Sequence, residues 1–92
     1  MQGFALNPMQ SIEDLILYPN PTENEVNIAF TSMEDLETEL LILDITGKAI
    51  QRYPLQITSG KNLVSTSMEH LAQGTYFIQL TATGVPLKVV VE

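Results

Sequence analysis

The chain has 92 residues, with 4 Lys and Arg against 11 Asp and Glu, for a net charge of −7. With no Cys and a single His, it has no means of forming disulfides, thiolate metal sites or His–His metal pairs, and its acidity repels nucleic acid and anionic membrane surfaces. The length fits one domain, and a hydrophobic content of 45% argues against disorder.

Residues 1–13 read as a linker remnant or flexible tail, and residues 14–92 as the domain. The opening MQGFALNPMQ has neither a basic n-region nor a long apolar h-region. No apolar run approaches the ~18 residues of a membrane span. The expectation is a cytoplasmic protein or a piece cut from a longer one. A first strand is predicted over 15–18. Tyr18-Pro19-Asn20-Pro21 then fixes two φ angles and removes two backbone donors, which predicts a rigid, extended lead into a second strand over 24–30. There Val26, Ile28 and Phe30 point one way, with Asn27 and Ala29 opposite. A third strand, 38–45, contains Leu40-Leu41-Ile42-Leu43. It is apolar on both faces, as suits a central or covered strand.

Asp44-Ile45-Thr46-Gly47 fits a hairpin turn, with Asp capping the backbone and Gly supplying a positive φ. The fourth strand, 48–57, carries Tyr53, Leu55 and Ile57 on one face, and Pro54 assigns it to an edge or a bulge. A short fifth strand, 62–66, follows Gly60. Ser67 to Leu71 reads as one helical turn that crosses between sheets and ends by Gly74. The sixth strand, 75–83, places Tyr76, Ile78, Leu80 and Ala82 together. A tight hairpin at Thr83-Gly84-Val85-Pro86 leads to the last strand, 86–91. About seven short strands with regular turn signals indicate an all-β fold, a single immunoglobulin-like antiparallel β-sandwich.

Reactive chemistry is sparse. Glu69 and His70 are adjacent, and in a helical turn neighbouring residues do not face each other. Asp44-x-Thr46-Gly47 has a superficial likeness to an aspartic protease loop, but Ile45 breaks the adjacency and a shared-proton site needs two carboxylates. Glu34, Asp35, Glu37 and Glu39 lack the spacing of a dedicated Ca²⁺ loop. No phosphate loop or Gly-x-Ser-x-Gly elbow is present. An enzyme is not expected, nor any cofactor, metal or catalytic residue. One binding alternative is an accessory adhesion or carbohydrate-binding module using Tyr18, Tyr53 and Phe77.

Five motifs occur in a distinctive order. They are Tyr18-Pro19-Asn20-Pro21, Asp44-Ile45-Thr46-Gly47-Lys48, Gly60-Lys61-Asn62, Leu71-Ala72-Gln73-Gly74-Thr75-Tyr76-Phe77, and Lys88-Val89-Val90-Val91. Over residues 15–92 this order resembles the type A C-terminal sorting domain of the type IX (Por) secretion system of Bacteroidetes. Glu92 departs from the basic or amide residue often found at that family's last position. The resemblance implies a non-catalytic signal on a larger secreted cargo. Such a precursor passes through the periplasm, and the outer-membrane translocon recognises it. A sortase-like cysteine protease then removes the domain, and the cargo is attached to the cell surface or released. It also implies that residues 1–13 are linker. Candidate recognition residues are Lys88, Val89, Val90, Val91 and Glu92 at the chain end, and Asp44, Gly47 and Lys48 in the turn. The aliphatic last strand suits pairing within the sheet, strand addition by a partner, or a strand-exchanged dimer.

Overall fold

The period-two alternation of apolar side chains produces seven strands, because each strand can bury one face against an opposing sheet. The structure, a computed structural model, describes residues 11–92. The strands are β1 (Ile12–Tyr18), β2 (Glu25–Ser32), β3 (Leu36–Leu43), β4 (Ala49–Ile57), β5 (Gly60–Ser67), β6 (Gly74–Leu80) and β7 (Pro86–Val91). They form two antiparallel sheets, ordered β1-β2-β5 and β4-β3-β6-β7. The predicted all-β sandwich is the observed architecture. The expected linker falls largely on residues 1–10, which lie outside the described residues.

The core is the predicted set of inward faces. Val26, Ile28 and Phe30 of β2 meet Leu40 and Ile42 of β3, Ile57 of β4, Ile78 and Leu80 of β6, and Val89 and Val91 of β7. Met68 lies fully buried among them. β3 is central in its sheet, as its two apolar faces require, and β4 with Pro54 is an edge strand. The Asp44–Gly47 turn also forms as expected. The Gly47 N–H donates to the Asp44 carbonyl at 2.9 Å, and Gly47 takes φ +90°.

Three local expectations need correction. Ser67 to Leu71 is no helical turn. It is a four-residue hydrogen-bonded turn centred on Glu69 and His70, in which the Leu71 N–H donates to the Met68 carbonyl at 3.1 Å, and the burial of Met68 pins the crossing between sheets. β6 ends at Leu80 rather than at residue 83. There the chain turns onto β3, where the Thr81 N–H donates to the Glu39 carbonyl at 2.9 Å and the Ala82 N–H to Thr38 Oγ1 at 2.8 Å. The link to β7 therefore spans 81–85 and is wider than a tight hairpin. The Tyr18–Pro21 segment is bent rather than extended, and Thr22 makes one parallel bridge to Val91 of β7.

Candidate recognition surface

β7 is an edge strand. Its register with β6, from Gly74↔Val91 to Gln79↔Pro86, runs without a bulge. Val89 and Val91 point into the core, while Lys88 and Glu92 are exposed and Val90 half-buried on the other side. The predicted tail residues therefore divide by parity. Two serve packing, and three offer side chains to the outside.

The outer edge of β7 is closed by the motif at the start of the domain. The Asn20 carboxamide donates through Nδ2 to the Lys88 carbonyl at 2.9 Å, and its Oδ1 accepts from the Val90 N–H at 2.9 Å. Two residues on, the Thr22 N–H donates to the Val90 carbonyl at 2.8 Å, and the Glu92 N–H donates to the Thr22 carbonyl at 2.9 Å. Thr22 is buried and its hydroxyl donates to the Glu25 carbonyl at 2.6 Å. A side chain and one residue of backbone thus do the work of a neighbouring strand. Sequence alone does not assign this partner to Asn20. Its only signal was a carboxamide set between two prolines, and its partners lie 68 and 70 residues away.

The hairpin candidates lie on the same sheet as the tail. Asp44 Oδ1 accepts from the Thr46 N–H at 2.9 Å, the Thr46 hydroxyl at 2.5 Å and the Lys48 N–H at 3.0 Å. Chiefly the Thr46 hydroxyl, then the Lys48 N–H, hold its carboxyl below the usual carboxylate range. Ala49, Leu43, Phe77 and Lys88 form one row across the four strands, so Lys88 and the hairpin base are roughly 14 Å apart at the usual strand spacing. Between them lies an outer face with half-buried Leu41, Leu43, Phe77 and Val90. That is more apolar than a fully solvated antiparallel face usually is.

The remaining motif residues are architectural. Gly74 opens β6 at φ +152°. Tyr76 packs against the core, and its hydroxyl donates to the Ala72 carbonyl at 2.7 Å. Asn62 ties the β4–β5 connection, donating to the Thr58 carbonyl at 2.8 Å and the Gly60 carbonyl at 3.1 Å.

The structure scatters the groups considered for other chemistry. Glu34 accepts from the Ser11 hydroxyl at 2.7 Å, Asp35 from the Ser59 N–H at 2.8 Å, and Glu39 pairs with Arg52 at 3.5 Å. Among the described residues no three His, Cys, Asp or Glu gather in metal-binding reach. His70 is exposed and hydrogen-bonds Gln51, which also accepts from the Tyr53 hydroxyl at 2.8 Å. The three aromatic candidates for a sugar platform do not meet. Tyr18 is on β1, Tyr53 lies at the opening between β4 and β5, and Phe77 is on the outer face of the other sheet.

A family model described as the secretion system C-terminal sorting domain matches residues 16–92. The chain belongs to that family. No curated protein matches it. The motif-based resemblance to the type IX system is thereby shown, and the Bacteroidetes and outer-membrane setting follows from the family. A sorting domain of this kind is a type IX secretion signal. It implies a fused cargo and export to the cell surface or extracellular space as part of a larger precursor. Such domains are typically non-catalytic. No helix among the described residues is long and apolar enough to cross a membrane.

Proposed function

We propose that the folded domain, the expected 14–92 extended at its start by Ile12 and Glu13 of β1, works as a passive address on a larger cargo, with the chain ahead of it as the linker. In this reading the outer-membrane translocon recognises the folded domain. A sortase-like cysteine protease of the same system then cuts upstream of it, and the cargo is attached to the surface or released. The family match over residues 16–92 carries this reading.

The surface offered for recognition is the outer face of the four-stranded sheet. Lys88, Val90 and Glu92 stand on one flank, and Asp44, Gly47 and Lys48 on the other. Asn20 and Thr22 already occupy the backbone of β7, so a partner meets side chains there rather than a free edge. Pro19, Pro21, Gly74 and Tyr76 shape the domain behind that face.

Deleting Lys88–Glu92 would be a poor test, because it also strips Val89 and Val91 from the core. The sharper test is Lys88→Glu with Val90→Asp in a reporter fusion carried by a type IX-competent host. The expected result is a folded domain whose reporter stays in the periplasm. Unchanged surface delivery would assign recognition elsewhere.

A further inference from the structure

The two sheets end in four edge strands, β1, β5, β4 and β7, and three of them are guarded. β1 shifts register between Glu13 and Ile16, with Asp14 at φ +57°. β4 carries Pro54, and its register with β3 shifts at Ile42 and Leu43. β7 is closed by Asn20 and Thr22. Bulges, prolines and covering segments are how proteins keep an edge from pairing. β5 has none of them. Gly60–Ser67 contains no proline and pairs with β2 without a shift, from Glu25↔Ser67 to Ser32↔Gly60. The Met68 N–H extends that ladder, donating to the Asn24 carbonyl at 2.6 Å. Backbone direction alternates along a strand, so Asn62, Val64 and Thr66 bond to β2, and Lys61, Leu63, Ser65 and Ser67 turn their N–H and C=O groups outward. Among the described residues these outward groups have no hydrogen-bond partner.

The same strand borders the open seam of the sandwich. Val64 and Thr66 of β5, Tyr53 and Leu55 of β4 and the buried Leu40 of β3 line a hollow of about 320 Å³ between the sheets. A strand laid beside β5 would bring alternate side chains over this hollow. Its other side chains would extend the row Glu13–Thr31–Lys61 that crosses β1, β2 and β5. Lys61 is exposed at the end of that row. Among the described residues the one ion pair is Arg52 with Glu39, so the Lys61 charge is unanswered. Residues 45–68, which span β4 and β5, hold Lys48, Arg52 and Lys61 and no Asp or Glu. In a chain of net charge −7, this is the side that an acidic segment can approach.

We propose that the free edge of β5 takes up an extended, acid-bearing segment of another polypeptide by strand addition. Its aliphatic side chains enter the hollow beside Val64, and a carboxylate stands opposite Lys61. A second copy of this chain does not fit through its own β5, which has no acid to set against Lys61. The inference concerns the seam between β4 and β5, away from the outer face of the four-stranded sheet, and is independent of the export reading.

The probe that tests this is a capped synthetic peptide of alternating Ile and Glu, as long as β5, added to the purified chain and followed by amide hydrogen exchange. Without the peptide, the Leu63 and Ser65 amides are expected to exchange faster than those of Val64 and Thr66. At saturating peptide they are expected to slow about tenfold. Ser65→Pro removes an outward N–H and leaves the β2 ladder intact, so that variant is expected to fold and to lose the peptide. Ser65→Ala, which loses the same hydroxyl bond to Asn27, is expected to keep it. Lys61→Glu should weaken the Ile–Glu peptide and favour one with Lys in place of Glu. Peptide binding undiminished by Ser65→Pro, or protection absent from Leu63 and Ser65, would overturn the proposal. Slow exchange of those two amides in the free chain, or a β5-paired dimer in light scattering, would overturn it too, by showing the edge already occupied. Should Ser65→Pro fail to fold, Leu63→Pro removes the neighbouring outward N–H, and the same loss of the peptide is expected.

Discussion

Asn20 Oδ1 accepts the Val90 N–H at 2.9 Å across 70 residues of sequence, so the first motif of the domain is bonded to its last. This single carboxamide joins the β1–β2 connection of one sheet to the edge strand of the other. It gives the Tyr18–Pro21 motif a role beyond stiffening the chain.

Replacing Asn20 by Ala removes two hydrogen bonds whose partners can then reach water. The expected loss is about 1–2 kcal/mol of unfolding free energy, read as a lower urea midpoint with an unchanged slope. Asn20→Asp should lose more at neutral pH, because a carboxylate then faces the Lys88 carbonyl in place of a donor.

Asp44 supplies a pH dependence with a defined sign. Its folded carboxyl titrates below the usual range because the ionised form accepts from the Thr46 hydroxyl and the Lys48 and Thr46 amides, with the Lys48 charge adding to this. Stability from this group is therefore present above the unfolded-state value and lost as pH falls through the folded one. The stability gap between wild type and Asp44→Ala should be full at neutral pH and close on acidification. Denaturation at a series of pH values measures it, and a gap that widens in acid would contradict the assignment.

Gly47 offers a cleaner conformational test. A Cβ there meets nothing within 4 Å, yet φ is +90°. Gly47→Ala should cost about 1 kcal/mol from backbone strain alone. Circular dichroism should show the fold retained and the melting temperature lowered.

Tyr76→Phe keeps the ring against the core and deletes only the bond to the Ala72 carbonyl, for an expected loss of about 1 kcal/mol. Ile42→Ala, at a fully buried position, should cost about 2–5 kcal/mol. That is a large share of what a domain this small holds. Equal losses at the two sites would contradict the packing described.

Much of the fold was legible because period-two alternation survives in β2, β4, β6 and β7. Where it fails, the chain bulges. β1 begins at Ile12, but its register shifts between Glu13 and Ile16, with Asp14 at φ +57°. Ile12 and Leu15 therefore face the core from positions of opposite parity, and only the last turn of the alternation could be read. The early end of β6 depends on Thr38 and Thr81, whose hydroxyls lie 2.9 Å apart across 43 residues, a contact no local pattern announces. The candidate surface was half legible. The tail and hairpin stood out as motifs, but the parity that buries Val89 and Val91 matters only once β7 is placed in the sheet. The bonds from Asn20 to β7 depend on topology alone.

The central claim is that this chain is an address. Its most direct measurement is surface labelling of a periplasmic reporter fused ahead of residues 1–92 in a type IX-competent host, beside the same host lacking the translocon. The account predicts labelled reporter on intact cells of the first host and reporter retained in the periplasm of the second. Reporter retained in both, or delivered equally by both, would contradict it.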